Sequence, residues 1–309
     1  MGDAYIKSNR LIQAEVDEIV QLQNRLHIRF GEAAIRLGLL TEEEVRDVLD
    51  KQFNYATFGS TGKAQKISPT LAIVHNPSSD DAEAIKRLRS EILARLGDDS
   101  SHAIAVTVVS PLNGEGKSHI AASLAISLAQ LNIKTMLIDA NLRNPVQHKL
   151  FGLKNQTGLS TMLAKRSAMS LEVIPEVMPD FWVLGSGPLP PNPAEILSAP
   201  KFSAFLEFFS QGITLFIIDT PPTLRWADAQ SIARQTGRVL FVARQNVTRL
   251  SDLKKAKHDM VAGGVEVLGT VFNQPPKAIS AAGKTLVAAL AAPFLWVMRR
   301  FSGESKGDA

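Results

Sequence analysis

The sequence predicts a doubly wound α/β domain with a mainly parallel sheet, preceded by a small helical domain. Three observations carry this: segments apolar on both faces alternate with helical patterns, a glycine-rich loop lies between the first such strand and its helix, and the first fifty residues repeat themselves.

The repeat has an offset of 29. It places Gly2 on Gly31, Ile6 on Ile35, Leu11 on Leu40, Val16 on Val45, Val20 on Leu49 and Gln23 on Gln52. The shared spacing reads as a turn followed by an amphipathic helix that buries one stripe. Thr41 can cap the second helix, and Glu44, three residues on, can complete a capping box. Residues 1–55 are therefore expected to form a helical repeat domain. Gly, Ser, Thr, Pro and Asp dominate 56–80, which reads as a linker with one apolar patch, LAIVH at 71–75.

From residue 81 the pattern changes. DAEAIKRLRSEILARL and HIAASLAISLAQL read as helices, and AIAVTVVS, KTMLIDA, FWVLGSG, ITLFIIDT, RVLFVAR and EVLGTVFN as strands. Strands without a polar face, separated by helices, belong to a parallel sheet covered on both sides. This domain is expected over 81–274, leaving a tail at 275–309. The tail's apolar run, LVAALAAPFLWVM at 286–298, would reach about 20 Å as a helix against a hydrocarbon core of ~30 Å, so it does not span. Pro293 would break a long helix there. A membrane-surface or partner-docking segment and a last helix packed on the domain both remain open.

Bulk composition narrows the function classes. The chain has 309 residues, 45% hydrophobic and 21% charged, with a net charge of only +4. That small excess gives no reason to expect nucleic acid as a partner, although a pI near 9.3 permits contact with an anionic membrane face. The absence of cysteine excludes a disulfide framework and a thiolate zinc site. The start, MGDAYIKSNR, has no apolar core and does not read as a signal peptide, so a cytoplasmic protein is expected.

Chemistry concentrates in SPLNGEGKSHIAA. Its glycines, Gly114 and Gly116, let backbone amides approach a β-phosphate, Lys117 reaches the β and γ oxygens, and Ser118 binds magnesium. With a strand before and a helix after, this is a P-loop, and Asn113 to His119, including Glu115, are the expected nucleotide-binding residues. Pro111 stands where the usual first glycine would be. FIIDTPP supplies Asp219 as the Walker B acid, which would hold magnesium through water. A third strand-end acid, Asp139 in MLIDANLR, would join them at the carboxyl edge of the sheet.

With SPLNGEGKS, LIDANLRNPVQHKLFGL, TGLSTML, GSGPLPPNPAEILSAPKF, FIIDTPPTLRWADA, RVLFVAR and VLGTVFNQ, residues 83–274 resemble the bacterial tyrosine kinases of polysaccharide operons, built on a MinD-like P-loop fold. The N-terminal part resembles the stand-alone chain-length-determinant type of exopolysaccharide clusters. This resemblance implies ATP and magnesium as cofactors, a separate transmembrane chain-length regulator as activator, a protein tyrosine as substrate, a homo-oligomer, and recruitment to the inner face of the membrane. It implies catalytic roles for Lys117, Asp139 and Asp219, metal contact by Ser118, Asp219 and Asp139, and adenine contact by Asn273, after the last strand. EAIKRLR is similar to the oligomerisation helix of that group, with Glu83 and Arg89 in place and Lys86 for the middle Arg; a lysine does not reproduce bidentate pairing.

Two departures bear on catalysis. The group's second A-prime acid is Asn141 here, which carries no charge. Its tail tyrosine cluster is missing, for the chain's two tyrosines are Tyr5 and Tyr55. An ATP-binding scaffold without kinase activity is thus an alternative, and a ParA- or MinD-type positioning ATPase another, against which Leu112 stands where that group has its signature lysine. Residues 2–52 resemble the cyclic-di-GMP-binding N-terminal domains of type II secretion ATPases, with Arg29 the one motif arginine retained. A cyclic-di-GMP site and a docking domain are the two readings of that part.

Overall fold

A computed structural model describes residues 2–7, 10–42, 44–45, 64–97, 102–164, 176–198, 200–274 and 295–298. The chain divides into two compact units, 1–64 and 65–309.

The first unit contains helices α1 (Gly2–Lys7), α2 (Gln13–Leu26) and α3 (Phe30–Arg36), with a further helical turn after Thr41. The 29-residue offset is a packing repeat. A Cβ on Gly2 would come 2.6 Å from Val16 Cγ1, and a Cβ on Gly31 2.5 Å from Val45 Cγ1, so each copy seats its valine directly on a glycine. The Ile12 N–H donates to Glu15 at 2.9 Å, and the Thr41 N–H donates to Glu44 at 2.9 Å. Thr41 completes the box by accepting the Glu44 N–H at 3.2 Å, which Ile12, lacking a hydroxyl, cannot do. Tyr5, Leu11, Val16 and Ile19 from the first copy share one core with Phe30, Ala33, Ala34, Leu40 and Val45 from the second. Leu49 and Gln52, the last repeat positions, lie outside the described residues, as does Tyr55.

In the second unit the order is α4 (Ala72–His75), α5 (Asp80–Leu96), β1 (Ile104–Val109), α6 (Lys117–Ala129), β2 (Thr135–Asp139), α7 (Gln147–Leu150), α8 (Leu159–Ala164), β3 (Glu176–Met178), β4 (Phe181–Leu184), α9 (Pro193–Ile196), α10 (Lys201–Phe209), β5 (Leu215–Asp219), α11 (Asp228–Thr236), β6 (Arg238–Arg244), α12 (Leu250–Ala262), β7 (Glu266–Gln274) and β8 (Leu295–Met298). The sheet order is β3-β4-β2-β5-β1-β6-β7-β8. The six inner strands run parallel, and β3 and β8 add antiparallel edges. The strand order reverses around β1, so the loop after β1 opens at the switch point where such sheets bind ligands. Helix α6 is apolar all round because it lies under α5, whose Ile85, Leu88 and Ile92 are buried.

Two segments differ from their sequence reading. The 64–80 stretch is packed, with Ile67, Leu71 and Ile73 buried, and the LAIVH patch carries the turn α4. Residues 295–298 of the long apolar run form strand β8 rather than a helix: Pro293 bars the helix, and β7 offers an edge to pair with. The rest of 286–298 is outside the described residues. In α5, Lys86 pairs with Glu83 at 2.8 Å and donates to the Pro77 carbonyl, and Arg89 donates to the Ser127 carbonyl at 2.8 Å.

The two valine-on-glycine seats give a stability test. Gly31→Ala should destabilise the protein by about 1–3 kcal/mol through overpacking against Val45. Calorimetry of the full chain should then show Gly31→Ala combined with Val45→Ala to be less destabilised than the sum of the single variants; strict additivity would refute the contact.

Candidate functional site

The site is built at the carboxyl ends of β1, β2 and β5. Parallel register sets Asp139 of β2 directly beside Asp219 of β5, and both side chains are fully buried. Burial raises the pKa of Asp139 to about 8, with the Asp219 charge adding to it, and the three N–H groups it accepts, from Gln147, Val146 and Asn141, work in the other direction. Burial likewise pushes Asp219 up, opposed first by the Lys117 ammonium and then by hydrogen bonds from Ser118 and Gln147.

The P-loop follows β1 and ends in α6. Gly114 and Gly116 have φ of +76° and +92°, backbone that glycine adopts without strain. A Cβ on Gly116 would sit 2.1 Å from Asn273 Nδ2, so the loop also needs a glycine for room. The Glu115 side chain braces the loop: it accepts the Leu112 N–H at 2.6 Å and the Thr248 hydroxyl. Arg244 donates to the Gly114 carbonyl at 2.7 Å and Asn273 to the Glu115 carbonyl at 2.9 Å. Asn273 lies within β7, one strand short of the sheet edge, with its carboxamide against the loop and its buried Oδ1 unpartnered. Asn113 is exposed at the loop's outer face, whereas the His119 ring donates to the Thr70 carbonyl at 2.7 Å. Burial holds His119 below the usual histidine range.

Asn141 is folded back on its own turn. Its Nδ2 donates to the Asn144 carbonyl at 3.0 Å, and its Oδ1 accepts the Asn144 N–H at 3.2 Å. Two residues on, Arg143 forms a bidentate pair with the buried Asp228, at 2.7 and 3.1 Å, and stacks 3.7 Å over the Trp226 ring. This ties the loop after β2 to the loop after β5.

Lys117, Ser118, Asp139 and Asp219 are thus brought together, as the sequence predicts. Sequence reasoning missed Gln147, Arg143 with Asp228, and the two braces Arg244 and Thr248. Arg244 alone had a signal, being polar at the end of an apolar strand. Ser118 and the unpartnered, buried Asp219 Oδ1 suit an oxygen-ligated cation such as magnesium. Among the described residues, no group of three or more His, Cys, Asp and Glu could hold a metal, so phosphate and water would have to complete such a site. Also among them, no helix is long and apolar enough to cross a membrane.

The acid pair has a pH signature. The folded pKa of Asp139 lies above its unfolded value of about 3.9, so its contribution is fully present below that pH and is lost as pH rises toward about 8. The urea midpoint of the nucleotide-free protein should therefore fall between pH 5 and about 8.5. Asp219→Asn, which removes the neighbouring charge, should flatten that fall; a steeper one would contradict the pairing.

Comparison with known proteins agrees with this geometry. The ParA family model described as NUBPL iron-transfer P-loop NTPase matches residues 101–285. The chain is 32% identical over 214 residues to the putative tyrosine-protein kinase CapB of Staphylococcus aureus, covering 69% of this chain and 92% of that one. It is 32% identical to the tyrosine-protein kinase wzc of Salmonella typhimurium, where it covers 68% of this chain but spans only 29% of the relative. The crystal structure of the chimerical protein CapA2B2 superposes with a TM-score of 0.61 at 32% identity, over 73% of this chain and 97% of that one. The chain belongs to the ParA-like P-loop NTPases and, among them, to the bacterial tyrosine-protein kinase family.

Proposed function

We propose that this protein is an ATP-dependent protein-tyrosine kinase that modifies a separate protein and, with a transmembrane chain-length regulator, controls exopolysaccharide chain length at the inner face of the membrane. The observation that carries the reading is the convergence of Lys117, Ser118, Asp139 and Asp219 at one sheet edge. Backbone amides of Gly114 to Ser118 and the Lys117 ammonium would hold the ATP phosphates. Ser118 and Asp219 would hold magnesium, which when bound neutralises charge on the β and γ oxygens.

In transfer, the acceptor phenol oxygen bonds to the γ-phosphorus, the bond to the β–γ bridging oxygen breaks, and ADP leaves. Asp139 is the group available for the phenolic proton. Its three N–H bonds leave about one of its four lone-pair sites for that proton. Tyr5 is fully buried and stacks on Phe30, which supports an acceptor on another protein. Homo-oligomer assembly and membrane recruitment are part of the same reading, by similarity to the kinase family.

A scaffold that binds ATP without transferring phosphate is the second reading, favoured by Asn141, whose amide is spent on Asn144. Transfer of labelled γ-phosphate to a tyrosine-bearing acceptor, with the regulator's cytoplasmic segment present, separates the two. Wild type should transfer slowly, Lys117→Met should lose nucleotide binding and transfer, and Asp139→Asn should lower the rate by roughly 10² to 10⁴. Asn141→Asp should raise it. Equal inertness of wild type, Asp139→Asn and Asn141→Asp, with ATP still bound, would establish the scaffold instead.

A further inference from the structure

Gln147 is fully buried, yet nothing in its spacing marks it as functional. It opens the short helix α7 after the loop that begins at Asp139. Its backbone N–H donates to Asp139 Oδ2 at 2.9 Å. Its side-chain Nε2 donates to Asp219 Oδ2 at 2.9 Å and to the Ser118 carbonyl at 3.0 Å. One residue therefore touches both strand-end acids and the first turn of the P-loop helix.

Two acceptors in this cluster have no donor: Gln147 Oε1 and Asp219 Oδ1, both buried. An unpaired buried acceptor is costly, so two at one place call for a ligand that supplies protons or positive charge. The amide fixes which carboxylate oxygen is spent. Because Asp219 Oδ2 is engaged by Nε2, Oδ1 is the oxygen left for a cation or for a water in its shell. Because Nε2 is held at two points, Oε1 is fixed as an acceptor.

From this we infer that Gln147 is a positioning residue for the divalent cation. It orients Asp219 so that Oδ1 faces the metal shell, and it offers Oε1 to a metal-bound water. A neutral amide is suited to this role. It stabilises the ionised form of Asp219 without adding a third charge beside two buried carboxylates, whereas a lysine would compete with the cation itself. The inference rests on the nucleotide-binding reading above but not on kinase activity.

The test is binding of fluorescent ADP to the full chain, titrated with magnesium chloride, in wild type and Gln147→Met. Metal-free ADP affinity, which depends on the loop amides and Lys117, should stay within about threefold. The magnesium concentration giving half of the metal-dependent gain in affinity should rise at least about tenfold, near 1.4 kcal/mol. If Gln147→Met does not fold by circular dichroism, Gln147→Ala, whose smaller side chain leaves space for a water, is read in the same way. Half-saturation within about twofold of wild type in a folded variant overturns the assignment of Gln147 and leaves the P-loop reading intact. A wild type whose ADP affinity ignores magnesium overturns the metal reading as well.

Discussion

Two carboxylates placed side by side in a sheet interior are the constraint around which the rest of the second unit is arranged. Parallel register makes Asp139 and Asp219 neighbours, and neither reaches water. Such a pair cannot remain ionised unless donors and positive charge surround it. Burial holds both groups above the usual carboxylate range, and the protein offsets this in part from three directions: the Lys117 ammonium at the start of α6, the backbone of the 141–147 turn, and the Gln147 amide. The P-loop helix, the A-prime loop and the Walker B strand are therefore held by one electrostatic requirement as well as by packing.

The same requirement explains the shape of the loop after β2. Asp139 gathers three N–H groups, and that fixes the path of residues 140–147 before any substrate arrives. Asn141 closes its turn with Asn144, and Arg143 leaves the turn to reach Asp228 and Trp226. An uncharged residue at 141 thus fits the local architecture. Its amide both donates and accepts, whereas a carboxylate at the same place would only accept.

Much of this was legible in the sequence because it rests on local chemistry. Glycines at 114 and 116, a lysine and serine after them, and acids at the ends of apolar strands are patterns that one segment can display. The helical repeat was legible for the same reason: its valine-on-glycine seats and Glu caps recur at a fixed offset. What stayed hidden depends on distant segments meeting. Glu115 looks like a loop residue until Thr248 reaches it, and Gln147 looks like a surface glutamine until β5 brings Asp219 beside it. The apolar run that carries β8 reads equally as a helix or a surface segment, because apolar runs fit either form until an edge strand is available to pair.

Asn273 joins two systems that are usually discussed apart. Its main chain lies in the β7 ladder opposite Trp296 of β8, while its side chain holds the Glu115 carbonyl and fills the space beside Gly116. The strand next to the sheet edge and the phosphate loop consequently share a residue, with no intervening hinge or helix. A shift of one position in the β7 register would turn this carboxamide to the opposite face and leave the loop unsupported. Fidelity of strand pairing at the chain's far end is thus a condition for the shape of the phosphate cradle some 160 residues earlier.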